Sequence, residues 1–142
     1  MLGSCSTDQE KILDAKWNNS GTKIAMVSIK NKLELEVGTA VFKAKKILTQ
    51  DRKIQYTVCE YDASDNLIVG TADGNIFIKG TTPTKAHEGC VNILRMIEGT
   101  LYSAGADGLI LQWSASGAKK AVFNIVPIYA DHLGITAFDI TK

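Results

Sequence analysis

The sequence predicts an all-β fold, a β-propeller segment of about three four-stranded blades plus the first strand of a fourth, spread over residues 1–142. Three observations predict it. Asp-Gly turns at Asp73-Gly74 and Asp107-Gly108 each join short alternating apolar runs, and Asp-Gly in that setting is the strongest short-range hairpin signal, because the turn needs positive φ and Gly supplies it without steric cost. The same order of strand, turn and strand recurs along the chain: the two Asp-Gly pairs lie 34 residues apart, Lys30-Asn31 precedes Asp73-Gly74 by 43, and His132-Leu-Gly134 follows His87-Glu-Gly89 by 45. Periods of this size belong to propeller blades. Composition agrees: 45% hydrophobic residues, 22% charged, 12 Gly and 2 Pro suit a globular domain rich in turns.

Blade one is expected over 10–47. The run ILDAKWNNSGTKIAMVSIKNKLELEV reads as strand, Asn-Asn-Ser-Gly turn, strand, Lys30-Asn31-Lys32 turn and strand, which places strands near 10–17, 23–28, 32–37 and 40–47. Blade two is expected over 54–86, with strands near 54–61, 66–71 and 75–79 around an Asp62-to-Asn66 turn and the Asp73-Gly74 turn. Blade three, 87–125, has a turn at Glu98-Gly99 and strands near 90–96, 100–104, 109–113 and 119–125. Residues 132–142 begin a fourth blade, where Ile135 to Ile140 alternates like an innermost strand.

The stretch from Ala86 to Ser114, AHEGCVNILRMIEGTLYSAGADGLILQWS, resembles the WD repeat, with its Gly-His-like start and Trp-Asp-like end. Ala86 and Ser114 stand where the family has Gly and Asp. The resemblance covers one blade strongly and the rest of the chain weakly. It implies that His87, Ser103, Asp107 and Trp113 form a buried hydrogen-bonded tetrad of structural rather than catalytic duty, since such groups are costly to bury alone and satisfy one another together. Blades one and two lack it: Val69 and Lys79 stand where Ser or Thr and Trp are wanted.

Lys79-Gly80 at the expected Trp-Asp position, then Lys85-Ala-His-Glu-Gly89 and Ser103-Ala-Gly-Ala-Asp-Gly108, is most similar to the echinoderm microtubule-associated protein-like group. That resemblance implies a non-catalytic interaction scaffold associated with tubulin or microtubules, in the cytoplasm, cytoskeleton or cilium. The alternative is a propeller subunit or adaptor of a ciliary, trafficking or ubiquitin-ligase complex, and a catalytic propeller ranks third. Candidate partner contacts are Lys30, Arg52, Lys53, Asp73 and Glu88. Basic stretches such as Lys43-Ala-Lys45-Lys46 and Arg52-Lys53 more often simply solvate a loop.

Other classes have little support. Formal net charge is +1, so no global field draws the chain to nucleic acid or anionic membrane. No apolar run approaches the ~18 residues of a membrane span, and the N-terminus lacks the basic and apolar regions of a secretory signal. Cys5, Cys59 and Cys90, odd in number and irregularly spaced, read as reduced thiols of an intracellular protein, Cys59 and Cys90 within apolar strands. Paired zinc-ligand spacing is missing, so neither metal nor cofactor is expected. Cys90 follows His87 by three residues, a spacing that puts them on opposite faces of a strand. The Gly-rich turns lead into strands, not helices, so no helix N-terminus is offered to phosphate. Asp62 and Asp65 sit in a turn, where Asp ordinarily bonds its own backbone.

A closed propeller needs at least about four blades. The chain is therefore expected to be a fragment, or to complete its ring with another chain, with both end faces seeking further blades from the same protein or a neighbouring subunit.

Overall fold

The computed structural model describes residues 11–29, 32–37, 54–78 and 82–124, together with the backbone of 42–47. Twelve strands build three four-stranded antiparallel sheets among these residues, and no helix. The first sheet runs β1 (Ile12–Trp17), β2 (Lys23–Ser28), β3 (Lys32–Val37), β4 (Phe42–Ile47). The second runs β5 (Tyr56–Tyr61), β6 (Leu67–Thr71), β7 (Asn75–Phe77), β8 (Thr84–Lys85), and the third β9 (Val91–Ile97), β10 (Thr100–Gly105), β11 (Leu109–Trp113), β12 (Lys119–Asn124). Strand order follows chain order in every sheet, so each blade is a meander of hairpins. Lys30, Arg52, Lys53, Lys79, Cys5 and the segment 132–142 lie outside the described residues.

Local chemistry sets the hairpins. Glu98 and Gly99 both have positive φ, 50° and 76°, which is the two-residue turn whose twist matches paired strands, and Ile97 faces Thr100 across it. At Asp107 the carboxylate accepts the Leu109 N–H at 3.1 Å while Gly108 turns at φ 77°, an Asx-type turn. The two-residue strand β8 was absent from the sequence expectation, being too short to show alternation.

The first strands of the three sheets stand side by side, β5 against both β1 and β9. Its burial shows this: Tyr56, Val58, Cys59 and Tyr61 are all buried, so both faces of the strand are covered. Two apolar layers result. Ala25, Val27, Tyr56, Cys59, Tyr61, Val69 and Phe77 pack between blades one and two. A larger layer around Ile68, Ile76, Val91, Leu94, Leu111 and Trp113 packs between blades two and three. Polar ties cross the same gaps: the Cys59 N–H donates to Asp14 at 3.1 Å, the Tyr61 hydroxyl to Glu34 at 3.0 Å, the Thr57 hydroxyl to the Val91 carbonyl at 2.6 Å, and the Met96 N–H to Glu60 at 3.2 Å. Burial, reinforced by the Glu34 carboxylate, pushes the Tyr61 phenol well above its ordinary pKa.

Cys59 is buried in β5, and burial raises its thiol far out of the reactive range. Cys90 lies just before β9 rather than inside a strand, because β9 is first paired to β10 at Val91.

Candidate functional site

The third blade holds a polar network that ties together four side chains from four parts of the chain. His87 lies in the connection from β8 to β9, Ser103 in β10, Asp107 in the turn after it, and Trp113 at the end of β11. His87 Nδ1 lies 2.9 Å from Asp107 Oδ1, His87 Nε2 lies 2.8 Å from Ser103 Oγ, and Trp113 Nε1–H donates to Ser103 Oγ at 2.9 Å. Only one proton arrangement satisfies every atom with a neutral ring: Nδ1–H donates to the carboxylate, Nε2 accepts from the Ser103 hydroxyl, and Ser103 Oγ accepts from the indole.

Backbone placement brings His87 there. The Gly74 carbonyl accepts both Ala86 N–H (2.9 Å) and His87 N–H (3.0 Å), fixing the connecting loop onto the second blade. The ring then lies on Gly105, where a built Cβ would come within 2.6 Å of the imidazole Cγ; a side chain there would displace the histidine. Asp107 is oriented in turn by the Glu88 N–H at 3.0 Å and the Leu109 N–H at 3.1 Å.

These surroundings set the charge states. Burial lowers the His87 pKa below 6.5, more than the Asp107 hydrogen bond and charge raise it, so the ring is neutral. Burial pushes Asp107 upward, but the N–H of Glu88, His87 and the N–H of Leu109 together hold it below 3.8, so the carboxylate is ionised. Both folded values lie beneath the unfolded ones, so in each interval between folded and unfolded pKa the unfolded chain binds more protons and stability rises with pH. Stability is expected to be complete above pH 6.5, to fall as His87 is forced to charge below it, and to fall again below pH 3.8 as Asp107 is protonated. Urea midpoints between about pH 8 and 5 check the first step, which His87→Gln should remove; a wild-type midpoint flat over that range would contradict it. Asp107→Ala should cost about 1–3 kcal/mol, because it strands the Nδ1–H and two backbone N–H groups.

Ser103–His87–Asp107 has the connectivity of a hydrolytic triad, hydroxyl to imidazole to carboxylate. Its setting is the opposite of one. Ser103 is 0% exposed, Trp113 2%, and the indole N–H already occupies the hydroxyl oxygen, which leaves no approach for an acyl carbon and no lone pair aimed at one. Cys90 has no part in the network: its Sγ contacts the Val91 carbonyl at 3.6 Å.

The other candidate residues sort differently. Asp73 stays in its own turn, hydrogen-bonded by the Thr71 hydroxyl and by Asn75 Nδ2 (2.9 Å), while Lys85 Nζ caps its carbonyl at 2.8 Å. Glu88 points outward, 3.7 Å from Lys85 Nζ. Asp73, Lys85 and Glu88 thus share an accessible polar patch over the buried network. Where blade three has Ser103, blade two has Val69, which pairs with Phe77 in the apolar layer against blade one.

One polar cluster escaped the sequence reading. Asp62 bonds its own turn, accepting the N–H of Ser64 (2.8 Å) and Asn66 (2.9 Å), as expected of Asp in a turn. Asp65 instead reaches across to blade one and accepts Asn19 N–H (2.8 Å), Asn19 Nδ2 (3.0 Å), Asn18 Nδ2 (3.0 Å) and Ser20 Oγ (3.0 Å). These bonds, the Asn19 N–H first, hold Asp65 below its ordinary pKa despite its exposure. The available signal was positional: a donor-rich Asn-Asn-Ser turn and an acidic Asp-Ala-Ser-Asp turn occupy the same place in successive repeats.

No protein-family model matches the chain, and no curated protein matches its sequence. Solved structures do match. The β-propeller domain of Cps50 (Swd1) from Myceliophteria thermophila superposes with TM-score 0.70 over 84% of this chain, at 18% identity. The fold is that of a WD40 β-propeller. U3-55K (TM-score 0.68, 13% identity) and the WD40 repeats of RRP9 (TM-score 0.68, 14% identity) each match over 87% of the chain. The chain spans 47%, 41% and 40% of the lengths of these three structures, so it corresponds to under half of a WD40 propeller. Identities this low establish architecture, not partners.

Proposed function

We propose that this chain is part of a non-catalytic WD40 scaffold that presents rigid turns to protein partners. The observation that carries the reading is the sealed Ser103–His87–Asp107–Trp113 network: the groups best suited to chemistry are spent on fixing the turn at Asp107 and the loop at Glu88. Rigid loops lose little conformational freedom on binding, which is how a scaffold gains affinity without large area. Of the accessible patch, Glu88 stands on that loop, and Lys85 links it to the neighbouring Asp73 turn. An active-site-directed fluorophosphonate should leave Ser103 unlabelled; stoichiometric labelling would overturn the reading.

Tubulin or microtubules are the first partner to test, in a cytoplasmic, cytoskeletal or ciliary setting. Support comes from the sequence resemblance of Lys79-Gly80, Lys85 to Gly89 and Ser103 to Gly108 to the echinoderm microtubule-associated protein-like group. Co-sedimentation of the intact protein with polymerised tubulin tests it; protein left wholly in the supernatant at micromolar tubulin would favour the adaptor alternative.

The same reading includes further blades at both flanks, from this protein or a neighbouring subunit. Leu13 and Trp17 on β1 are 39% and 56% exposed, and Phe123 on β12 is 52% exposed. Apolar faces of this kind are what adjoining repeats cover. Light scattering on residues 1–142 alone should find oligomers or aggregate, and a cooperatively unfolding monomer would count against it.

A further inference from the structure

The chain between β7 and β9 carries a short pattern that neither the buried network nor the inter-blade layers use, Thr82-Pro83-Thr84-Lys85. Thr82 and Pro83 are exposed, and β8 begins only at Thr84. Local chemistry accounts for this: a residue before proline is driven toward extended backbone, and proline has no N–H to give a ladder, so pairing starts after it. Among the described residues β8 is the last strand of its sheet, and it pairs with β7 only as Ile76 with Thr84 and Asn75 with Lys85. Beyond Lys85 the chain is fixed again, because the Ala86 and His87 N–H groups both donate to the Gly74 carbonyl. Thr82 thus stands just outside the ladder, at a sheet edge, on a segment pinned at its C-terminal side.

We propose that Thr82 is a phosphorylation site, read on the folded blade by a proline-directed Ser/Thr kinase that also takes a base three residues after the acceptor. Such an enzyme binds its substrate extended. Proline after the acceptor suits it for a physical reason: a pocket with no partner for the next N–H rejects any residue that would bury one unpaired, and proline has none. The base at the third place meets an anionic group of the enzyme. A single hydroxyl of this chain meets the first condition, since the other proline, Pro127, follows Val126, and that same hydroxyl has Lys85 at the third place after it. The step is phosphoryl transfer: Thr82 Oγ1 attacks the γ-phosphorus of ATP, the bond to the bridging β–γ oxygen breaks, ADP leaves, and the hydroxyl proton passes to the kinase's catalytic aspartate.

Lys85 already has partners, and they are exchangeable ones. Its Nζ donates to the Asp73 carbonyl at 2.8 Å and lies 3.7 Å from Glu88 Oε2, with the side chain half exposed. Surface contacts of this kind give way to an enzyme carboxylate. The phosphate brings about −1.5 to −2 charges at neutral pH, roughly 10 Å along extended chain from Lys85. That is close to one Debye length at physiological salt, so the Asp73, Lys85 and Glu88 patch feels part of the added charge and shifts from mixed sign toward anionic. This consequence rests on the scaffold reading; the site itself does not.

Treatment of the intact protein with a purified cyclin-dependent kinase and ATP, followed by fragmentation mass spectrometry of the tryptic peptide ending at Lys85, tests the site. Phosphate is expected on Thr82, with Pro83→Ala lowering kcat/KM at least about tenfold and Lys85→Ala lowering it severalfold. The urea midpoint of the phosphorylated protein should stay at the unmodified value, since an exposed threonine outside the ladder loses no buried contact. A synthetic peptide of residues 79–88 is the accessible standard: a modified peptide beside an unmodified protein would show that the fold shelters Thr82, and would overturn the proposal. Phosphate on Thr81 or Thr84 in its place, or a rate indifferent to Pro83→Ala, would overturn it equally. Co-sedimentation of the unmodified protein with tubulin reads the scaffold role separately, so either can fail alone.

Discussion

Trp113→Ala is expected to destabilise the intact protein by about 3–5 kcal/mol, the range for emptying a fully packed tryptophan site. Trp113 is 2% exposed, in the apolar layer between blades two and three, and its N–H is one of the two polar contacts that complete Ser103. The two contributions separate in Trp113→Phe, which keeps most of the apolar volume and removes the donor. That variant should cost about 1 kcal/mol for the lost hydrogen bond plus a smaller packing term. Urea midpoints of the two variants against wild type make the measurement. A Trp113→Ala cost below about 1 kcal/mol would mean that the indole anchors neither the layer nor the network.

The contrast between blades two and three shows what the sequence made legible. In blade three each member of the network is a chemically distinctive residue, and the resemblance to the WD repeat, with Ser103 four residues before Asp107 and Trp113 six after it, implied the set; the structure brings them within hydrogen-bond reach. Strands were equally legible where one face is buried, because alternation is then a record of the pleat. The expected 23–28, 32–37 and 109–113 coincide with β2, β3 and β11. β5 is buried on both faces, so Tyr56, Val58 and Cys59 follow no clean alternation, and its recognition rested on its apolar run and the Asp62-to-Asn66 turn that follows it.

What stayed hidden depends on which blade meets which. Asp65 looks like any turn aspartate, and its four bonds to blade one exist only because inter-blade packing sets the β1–β2 and β5–β6 turns side by side. Val69 is the inverse case: a departure from the repeat pattern in the sequence, it is in the fold an apolar replacement that seals the layer against blade one through Phe77 and Cys59.

Gly74→Ala should cost as much as losing Trp113, from a change of one methyl group. A Cβ built on Gly74 lies 1.9 Å from the His87 carbonyl oxygen, 2.6 Å from the Gly89 carbonyl oxygen and 2.8 Å from the His87 carbonyl carbon. All three are backbone atoms, so no rotamer change relieves the contact, and either the Asp73-Gly74 turn or the loop that carries His87 must move. Moving the loop strains the two hydrogen bonds that Ala86 and His87 N–H donate to the Gly74 carbonyl, and with them the imidazole's place on Gly105. The φ of +86° adds the left-handed penalty of about 1–2 kcal/mol for a side-chain-bearing residue. Together these give roughly 3–5 kcal/mol, the sum of that penalty and two or three weakened buried hydrogen bonds. Gly99→Ala isolates the clash, because φ there is a similar +76° and nothing lies within 4 Å of the built Cβ. It should cost only the conformational part, about 1–2 kcal/mol. Urea unfolding of the two variants side by side decides the matter: equal costs would show that the turn at Gly74 yields without disturbing the histidine loop, and that the second blade does not position the third blade's network.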